Sequence, residues 1–570
     1  MKDFNLLDIL DGEGLPLKNR IDGSGHYSPK GAAREKEEIS SLRHQQGEQV
    51  ALIPSEPLQE GEQYRFHFDM TLCVGCQCCV VACNEQNNNP AEVNWRRVGD
   101  IEGGFYPDTK RYHLSMACNH CLDPSCLNGC PTEAYVKLDT GVVSHQAEEC
   151  IGCGYCTWNC PYGVPQYNPE RNIVTKCDMC HSRLKDGQMP ACVAACPEGA
   201  IQIEKVNVEE WRKNHLQADA PYVPDSGMTI STTRITLPAD VPENLLRANR
   251  HRIEPEKPHT SLIFMTVLTQ LAVGGFLMLW LLEMLSQWME FLKPVRDFLP
   301  YGASGMLAVT GIALFAAVFH LGRPVYAYKA LRMWKRSWLS REVLLFAVFS
   351  KLGGLYAALQ LARHFLKWNI SGFLMSGLGA LVVLTGLAGV YASAKIYLVP
   401  ARPAWNTVRT PLRFFLTGFI LGPLFALAVY AAFIPAQVRG LSLNAPVFAF
   451  LTVAALAGFV QLLVLLARLF SMHTETSDEL YASSFLLVHR FKKYFVARLA
   501  LLALGSFIFP FALFVVLQSG DPARVVFLGL GLACFLCSLA GELLGRYLFF
   551  VTVVPKNMPG SFFTVKAGGH

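Results

Sequence analysis

Sixteen cysteines fall into four groups of four between Cys73 and Cys196, and their spacing constrains the fold more than any other feature of the 570-residue chain. The first and third groups have the spacing C-x2-C-x2-C-x3-C. The second has four residues in one gap, and the fourth opens its middle gap to eleven residues. Three thiolates on a tight loop can reach three irons of one cubane, while the fourth cysteine is turned away and ligates a neighbouring cluster. The pattern therefore predicts paired iron–sulfur clusters.

Two other uses of these cysteines fit the spacing less well. Disulfides need an oxidising compartment, and three cysteines two residues apart are poorly placed for bridges of defined geometry. Zinc favours two C-x2-C knuckles separated by a longer loop, and it has no use for the third cysteine. Outside the groups, Cys78 is predicted to be a buried non-ligand, and Cys534 and Cys537 small apolar fillers of a membrane helix.

Eight apolar stretches follow the cysteine region, each near the length of about 20 residues that a helix needs to cross hydrocarbon. Charged residues make up only 17% of the chain, hydrophobic residues 51%, and the mean hydropathy is +0.26. These values exclude a wholly soluble or wholly disordered protein. The predicted stretches are 262–285, 301–320, 342–361, 372–392, 414–434, 447–467, 499–517 and 525–545.

The chain is too long for one ordinary domain, because single cores stop growing near about 250 to 300 residues. The first 60 residues are polar and interrupted by glycine and proline, and prolines in the segment before the first apolar stretch argue against a continuous helix there. The predicted organisation is a flexible extension at 1–60, a cysteine domain at 61–208, a linker at 209–260, a membrane body at 261–550 and a tail at 551–570.

The distribution of Lys and Arg predicts the orientation in the membrane. The flanks and loops on the side of the cysteine domain carry 22 of these residues, and the opposite loops carry 6. Because positively charged loops are retained in the cytoplasm, both termini and the cysteine domain are expected there. No secretory signal is recognised ahead of the cysteine domain. The net charge of +5 is small and lies beside apolar runs, which argues against nucleic acid as a partner.

Polar residues at the ends of two membrane stretches form a second candidate site. His320 ends the second stretch, and Glu342 opens the third, on the same side of the membrane. An imidazole and a carboxylate at adjacent helix ends can exchange hydrogen bonds and protons with a quinone head group. The alternative is structural: Ser340 caps the third helix with Glu342 favoured by its dipole, and His320 bonds a loop carbonyl.

Lys351 lies near the middle of the third stretch, where an isolated cation is costly. A proton path linked to the quinone would explain it, and so would pairing with a helix carbonyl or with a carboxylate, for which Glu283 and Glu542 are the candidates. Haem b needs two histidines at matching depth on facing helices. His320 has no such partner in the sequence, so no haem is predicted.

The cysteine domain resembles the electron-transfer subunit of the dimethyl sulfoxide reductase class of molybdopterin enzymes, a ferredoxin-like protein with four [4Fe-4S] clusters. The resemblance covers about residues 66–203 and rests on all four groups, including the irregular second and fourth. It implies four ligand sets, in which each cluster takes three cysteines from one group and the last cysteine of another. The sets are Cys73, Cys76, Cys79 with Cys196; Cys177, Cys180, Cys192 with Cys83; Cys118, Cys121, Cys126 with Cys160; and Cys150, Cys153, Cys156 with Cys130.

The segments around His320 and Glu342 resemble signature stretches of the eight-helix membrane anchor of the same class, in which that histidine and that glutamate serve the quinol site. Arg323 and Lys351 are further candidates for this site. The implied fold is an α+β ferredoxin-like domain followed by an all-α bundle of eight transmembrane helices. Subunit and anchor form one chain here, and the cytoplasmic orientation is more similar to sulfite-oxidising or nitrate-reducing relatives, so the substrate is not carried over.

The expected function is electron transfer between a large molybdopterin-containing catalytic subunit and menaquinone or ubiquinone, in the cytoplasmic membrane of a prokaryote. The substrate pocket lies outside this chain, which should transform no substrate of its own apart from the quinone. A competing expectation is an ion-translocating membrane complex that the clusters drive or regulate, favoured by Lys351 and Glu542. A third is a zinc-bound interaction scaffold.

Overall fold

The protein was analysed as a computed structural model that describes residues 52–248, 253–433, 441–471, 477–519 and 524–559. The described chain forms two compact units. The cysteine unit contains the described residues up to 253 together with 555–559, and the helical unit contains those from 254 to 554. The predicted extension lies outside the described residues as far as residue 51, and the predicted tail does so from residue 560 onward.

The cysteine unit combines short strands with short helices. Its described strands are β1 (Glu62–Asp69), β2 (Arg97–Phe105), β3 (Asp108–Met116), β4 (Tyr135–Lys137), β5 (Val143–His145), β6 (Gln166–Asn168), β7 (Ile173–Thr175), β8 (Ile201–Asn207), β9 (Arg234–Thr236) and β10 (Leu246–Arg247). Its described α-helices are α1 (Cys78–Asn87), α2 (Ser125–Gly129), α3 (Tyr155–Asn159), α4 (His181–Lys185), α5 (Ala191–Ala194) and α6 (Val208–Asn214).

Sheet topology brings the distant cysteine groups together. Strand β1 lies in the middle of one sheet, antiparallel to β8 and parallel to β9, with Phe66 opposite Ile203. Strands β2 and β3 form a long hairpin whose outer neighbour is β10. The hairpin β4–β5 connects the second cysteine group to the third, and β6–β7 connects the third to the fourth. Apolar residues from β1, β2, β3 and β8 and several of the cysteines share one buried core.

The first cysteine group turns on a glycine that no other residue could replace without strain. Gly75 has a φ of 70°, and a Cβ there would lie 2.6 Å from the ring of His113. Left-handed backbone and this close approach both favour glycine. Cys78, the first residue of α1, is exposed, so the prediction that it is buried is wrong. Successive residues of a helix point in different directions, so Cys79 faces the interior while Cys78 faces outward.

The segment expected as a linker at 209–260 is largely folded onto the cysteine unit. Its helix α6 buries Trp211, whose indole Nε1 donates to the Ser231 carbonyl at 2.8 Å. The main-chain N–H groups of Leu122 and Asp123, in the second cysteine loop, donate to the Ile230 and Thr229 carbonyls at 2.9 and 3.0 Å. Polar composition suggested solvent exposure, but these polar groups are buried and hydrogen-bonded.

The chain also returns to the cysteine unit after its last membrane helix. Met558 is 1% exposed and packs in the core of that unit. The guanidinium of Arg247 donates to the Asn557 carbonyl at 3.3 Å. Part of the predicted tail therefore completes a folded core.

The helical unit contains long apolar helices joined by short connections. The described α-helices are α7 (Thr260–Trp288), α8 (Leu299–Val318), α9 (Trp338–Phe365), α10 (Gly372–Tyr397), α11 (Arg409–Phe433), α12 (Leu441–Ser471), α13 (Asp478–Phe485), α14 (Lys492–Ala503), α15 (Phe509–Gln518) and α16 (Arg524–Val551). A π-helical turn, Leu504–Ile508, joins α14 and α15 into one span. Eight described segments are long and apolar enough to cross a membrane. They correspond to the eight predicted stretches, and the fold class is confirmed.

Helices α7 and α11 form the enclosed centre of the helical unit. They approach closely because glycine faces glycine: a Cβ on Gly274 would lie 2.0 Å from the Gly418 carbonyl oxygen, and one on Gly422 would lie 2.3 Å from the Gly274 carbonyl carbon. Small residues that let backbones meet are the usual means of packing helices in lipid, where no hydrophobic force drives association.

Candidate functional site

Two cavities in the cysteine unit are lined by cysteines from separate groups. One is lined by Cys118, Cys121, Cys126 and Cys160. The other is lined by Cys73, Cys76, Cys79 and Cys196. In each cavity three cysteines come from one loop and the fourth from another group, which is the arrangement that two of the implied ligand sets require.

The remaining eight grouped cysteines also approach one another in two sets. The thiol of Cys83 interacts electrostatically with those of Cys180 and Cys192, and the thiol of Cys177 interacts with Cys83 and Cys192. The last set consists of Cys130, Cys150, Cys153 and Cys156, whose thiols interact in the same way. The cysteines that the resemblance implies for each of these two sets thus lie close enough for their charges to interact, although Cys177 also interacts with Cys118.

Hydrogen bonds from the protein are directed at several of these sulfurs. The main-chain N–H groups of Ala134, Gly152 and Met179 donate to Sγ of Cys130, Cys150 and Cys177 at 3.4, 3.4 and 3.3 Å. The Thr229 hydroxyl donates to Sγ of Cys121 at 3.1 Å. Donors of this kind stabilise negative charge on sulfur and tune the potential of a bound cluster.

The described cysteines suit a cluster better than a single metal ion. Zinc holds thiolates at about 2.3 Å, which needs all its ligands close to one point. The described cysteines form no disulfide bond. Four cysteine sulfurs placed around a cavity fit an iron–sulfur cube, which is larger than a single zinc ion.

A buried lysine accompanies two of the cysteine sets. Lys176 is 3% exposed, and its ammonium lies 3.6 Å from Sγ of Cys118 and donates to the Cys177 carbonyl at 2.9 Å. Nearby thiols, chiefly Cys118, raise the pKa of Lys176 against the opposing effect of burial. A buried cation needs negative partners, and anionic clusters on these cysteines would supply them.

His320 lies just beyond the end of α8, partly exposed. Its Nδ1 donates to the Ala317 carbonyl in the last turn of α8, whereas the structural alternative expected a loop carbonyl. Because a carbonyl only accepts, this bond places the ring proton on Nδ1 and leaves Nε2 as an acceptor. Burial lowers the pKa of His320 to about 4, and the charge of nearby His259 acts in the same direction. The imidazole is therefore neutral at physiological pH.

Glu342 lies in the first turns of α9 and is 4% exposed, beside Ser393 of α10. The helix begins at Trp338 with Ser337 at its N-cap, so Ser340 lies inside the helix and is not the cap that the alternative required. His320 and Glu342 occupy the same end of two packed helices. No hydrogen bond or ion pair joins their side chains in the part of the chain described.

Neither of the two carboxylates considered as partners of Lys351 pairs with it in the described structure, because both are engaged elsewhere. Lys351 is exposed on the outer surface of α9. Glu283 accepts hydrogen bonds from Tyr356 and Gln360 and pairs with Arg363 at 3.3 Å. The carboxylate of Glu542 has its own partners on α11, α12 and α14, namely Thr417, Gln461 and Arg498. Arg323 lies at the His320 end of α8, partly exposed.

Sequence reasoning missed several residues of these sites. Thr229 and Lys176 contact cysteine sulfurs, and His259 lies near His320 at the start of α7. Lys176 directly precedes the fourth cysteine group, and His259 directly precedes a membrane stretch. Their positions next to these motifs could have marked both residues as candidates. Thr229 lies 108 residues from its cysteine, and no local pattern marks it.

Two family models match separate parts of the chain. The family model of the DMSO reductase anchor subunit (DmsC) matches residues 256–551, which is more than half of the chain. The family model of a 4Fe-4S dicluster domain matches residues 109–206. The chain is therefore a multi-pass membrane protein that carries [4Fe-4S] clusters.

Individual relatives agree with the iron–sulfur assignment. The chain is 40% identical to the B subunit of anaerobic dimethyl sulfoxide reductase from Haemophilus influenzae over 177 residues, which are 30% of this chain and 86% of that protein. It is also 40% identical to the B subunit of the same reductase from Escherichia coli strain K12 over 169 residues, 28% of this chain and 82% of that protein. The formate dehydrogenase-O iron-sulfur subunit of that strain is 40% identical over 153 residues, 23% of this chain and 50% of that protein.

These matches explain both halves of the architecture. A [4Fe-4S] domain that is covalently continuous with a membrane anchor transfers electrons at the membrane. The chain belongs to the DMSO reductase anchor subunit family and is a fusion of that anchor with the iron–sulfur subunit of the dimethyl sulfoxide reductase class.

Proposed function

We propose that this chain relays electrons between a molybdopterin-containing catalytic subunit and membrane quinone through four [4Fe-4S] clusters. The single observation that supports this proposal most is the gathering of sixteen cysteines into four sets within a unit that is continuous with an eight-helix anchor. When bound, the clusters supply one-electron carriers. The chain's own residues hold, insulate and polarise them.

The four ligand sets of the resemblance are part of this proposal. Two of them line the two cavities, and the other two consist of thiols in mutual electrostatic contact. The main-chain donors at Cys130, Cys150 and Cys177 stabilise the thiolates that bind iron. Cys78, exposed and outside the spacing, is not assigned as a ligand.

His320 and Glu342 form the proposed quinone site, with Arg323 as a flanking cation. Nε2 of His320 accepts the hydroxyl proton of a quinol or contacts a quinone oxygen through water, because Nδ1 is already committed to the Ala317 carbonyl. The buried Glu342 is the second group able to accept or return a proton. Menaquinone and ubiquinone both present the ring oxygens that this pair would bind. Lys351 is exposed on α9 and has no assigned role.

The proposed orientation places the cysteine unit and the quinone site on the cytoplasmic side of a prokaryotic inner membrane. It rests on the excess of Lys and Arg in the loops of that side, 22 against 6. Proton uptake and release then occur on one side only, and turnover is electroneutral. Proton release on the opposite face of proteoliposomes during quinol oxidation would refute this assignment.

Metal analysis tests the cluster proposal most directly. The full chain, purified anaerobically, should contain near sixteen irons and sixteen acid-labile sulfides, the number that four cubanes require. Stoichiometric zinc in place of iron would sustain the scaffold interpretation instead. Identification of the large subunit that co-purifies with the native protein tests the proposed partner.

Two substitutions test the quinone site. His320→Ala and Glu342→Gln should each leave the iron content unchanged and slow cluster reduction by a quinol analogue by about 100-fold, the size of a general acid–base contribution. His364→Ala and Glu290→Gln, at the opposite end of the helical unit, are the matched controls and should reduce at the wild-type rate. If both test variants were reduced by the quinol analogue at the wild-type rate, the assignment of the quinone site would be wrong.

A further inference from the structure

Arg96 is a buried cation whose hydrogen-bonding capacity is only partly used. The residue directly precedes β2 and is 2% exposed. Its Nη1 donates to the Ser115 hydroxyl and carbonyl at 3.2 and 3.4 Å, and the guanidinium lies over the Phe66 ring at 4.7 Å. Nε and Nη2 are buried without a hydrogen-bond partner in the described structure. Such orphaned charged donors are costly and need an explanation.

Cysteine thiols lie near the guanidinium of Arg96. Its largest charge interactions are with the thiols of Cys192, Cys79, Cys177 and Cys83. Cys79 lines one cavity with the first cysteine group, whereas the other three form a different set. Arg96 therefore lies between two cysteine sets, with no carboxylate at ion-pair distance among the described residues.

Each proposed cluster site would bring its own negative charge. A [4Fe-4S] core with four thiolates carries about two negative charges when oxidised and about three when reduced. A fixed positive charge in a low-dielectric interior favours the more negative state. It acts on both flanking sites at once, because the guanidinium interacts with cysteines of both.

We propose that Arg96 is the shared counter-ion of two neighbouring clusters, donating through Nε and Nη2 to their sulfurs and raising both reduction potentials together. The inference rests on the proposed ligand sets of these eight cysteines. Ser115 positions the guanidinium, since its hydroxyl lies 3.2 Å from Nη1 and 3.3 Å from Sγ of Cys79. A shift that both sites share changes the potential difference between them less than a shift at one site alone.

The test is a redox titration of the purified full chain, followed by electron paramagnetic resonance. Arg96→Met removes the positive charge but keeps a long, unbranched side chain. It should lower the equilibrium constant for reduction at least tenfold at two of the four clusters. A tenfold change corresponds to a shift in reduction potential of about 59 mV for one electron. The other two clusters should keep their potentials. Arg96→Lys retains the charge without the planar fork and should fall between Arg96→Met and the wild type.

The control is Arg111→Met, which removes an exposed guanidinium that pairs with Asp100 on the surface. It should leave all four potentials unchanged. Iron loss confined to two clusters in Arg96→Met, with full occupancy in Arg96→Lys, would also support the proposal, because it shows a charge requirement at those two sites.

Other outcomes would overturn the inference. If Arg96→Met had full iron content and wild-type potentials, Arg96 would not be a counter-ion. If both Arg96 variants lost all four clusters, the residue would be needed for folding in general, and the inference would also fail. A wild-type protein without iron would instead refute the ligand sets themselves. Iron analysis of the wild type therefore separates failure of the proposed function from failure of this inference.

Discussion

The Thr229 hydroxyl donates a hydrogen bond of 3.1 Å to Sγ of Cys121, although 108 residues separate the two in the sequence. Thr229→Val removes this donor at nearly constant volume. Because hydrogen bonds to ligand sulfur raise the potential of a cluster, we expect one cluster to become harder to reduce while the other three stay unchanged. Redox titration followed by electron paramagnetic resonance measures the shift.

The control for this prediction is Thr232→Val, which loses a buried bond to the Asn119 carbonyl and none to sulfur. Equal shifts in both variants would indicate a general disturbance of the segment and contradict a specific role for Thr229.

Trp211→Ala should destabilise the cysteine unit by about 3 to 5 kcal/mol, the usual loss for a buried tryptophan. The indole is 2% exposed, donates to Ser231 and lies under the Arg65 guanidinium at 4.5 Å. Thermal unfolding, followed by bleaching of the cluster absorbance, measures the loss. Leu216→Ala, at an exposed position of the same segment, should unfold like the wild type. If Trp211→Ala also unfolded at the wild-type temperature, the segment around Trp211 would be a linker and not part of the folded cysteine unit.

Glu204 should make the cysteine unit sensitive to acid. Burial disfavours its ionisation, but contacts with His67 at 2.8 Å, Arg65 at 2.7 Å and Arg234 at 3.4 Å prevail and lower its pKa from 4.5 to about 2. The stabilisation is complete above pH 4.5 and is lost as the pH falls towards 2.

Glu204→Gln is accordingly expected to cost about 2 kcal/mol at pH 7, with a difference from the wild type that narrows below about pH 4.5. Melting temperatures of both proteins between about pH 7 and pH 4 check the sign. The exposed Glu92→Gln is the control. A difference that stayed constant with pH would show that the ionised carboxylate is not the stabilising species.

Gly274→Ala should separate α7 from α11. The added Cβ would lie 2.0 Å from the Gly418 carbonyl oxygen, so the helices must shift, at a cost of about 3 kcal/mol. We expect a lower melting temperature and aggregation in mild detergent, the latter visible by size-exclusion chromatography. Gly311→Ala on α8 meets no atom within 4 Å and should be neutral or slightly stabilising. A normal profile for Gly274→Ala would show that this helix contact tolerates separation.

The parts of this protein that follow from strict physical requirements could be predicted from sequence. Hydrocarbon thickness sets the length of a spanning helix, so the eight spans were recognisable from composition alone. Cluster chemistry sets the spacing of cysteines on a loop, so the four groups were recognisable too. Cys160 and Cys196 were assigned to their ligand sets only from the family resemblance. Local spacing does not show which distant loops pack beside each other.

Features that depend on tertiary neighbours could not be predicted. The polar segment containing Thr229 and Ser231 is buried because its groups find partners on distant loops, which composition does not show. Lys351 faces outward although its helix packs against its neighbours, since a lone charge does not reveal which face of a helix it occupies. Cys78 is exposed for a similar reason: its position on helix α1, rather than its own apolarity, sets its direction.

Met558, in the core of the cysteine unit, is synthesised after all eight membrane helices. The cysteine groups are therefore synthesised long before the residue that completes their packing. The core of the cysteine unit can be completed only after the last membrane span has been made. Because residues 555–559 belong to the cysteine unit and are covalently joined to the last membrane helix, a chain cut near residue 254 would be held to its anchor only by the non-covalent packing of this short segment.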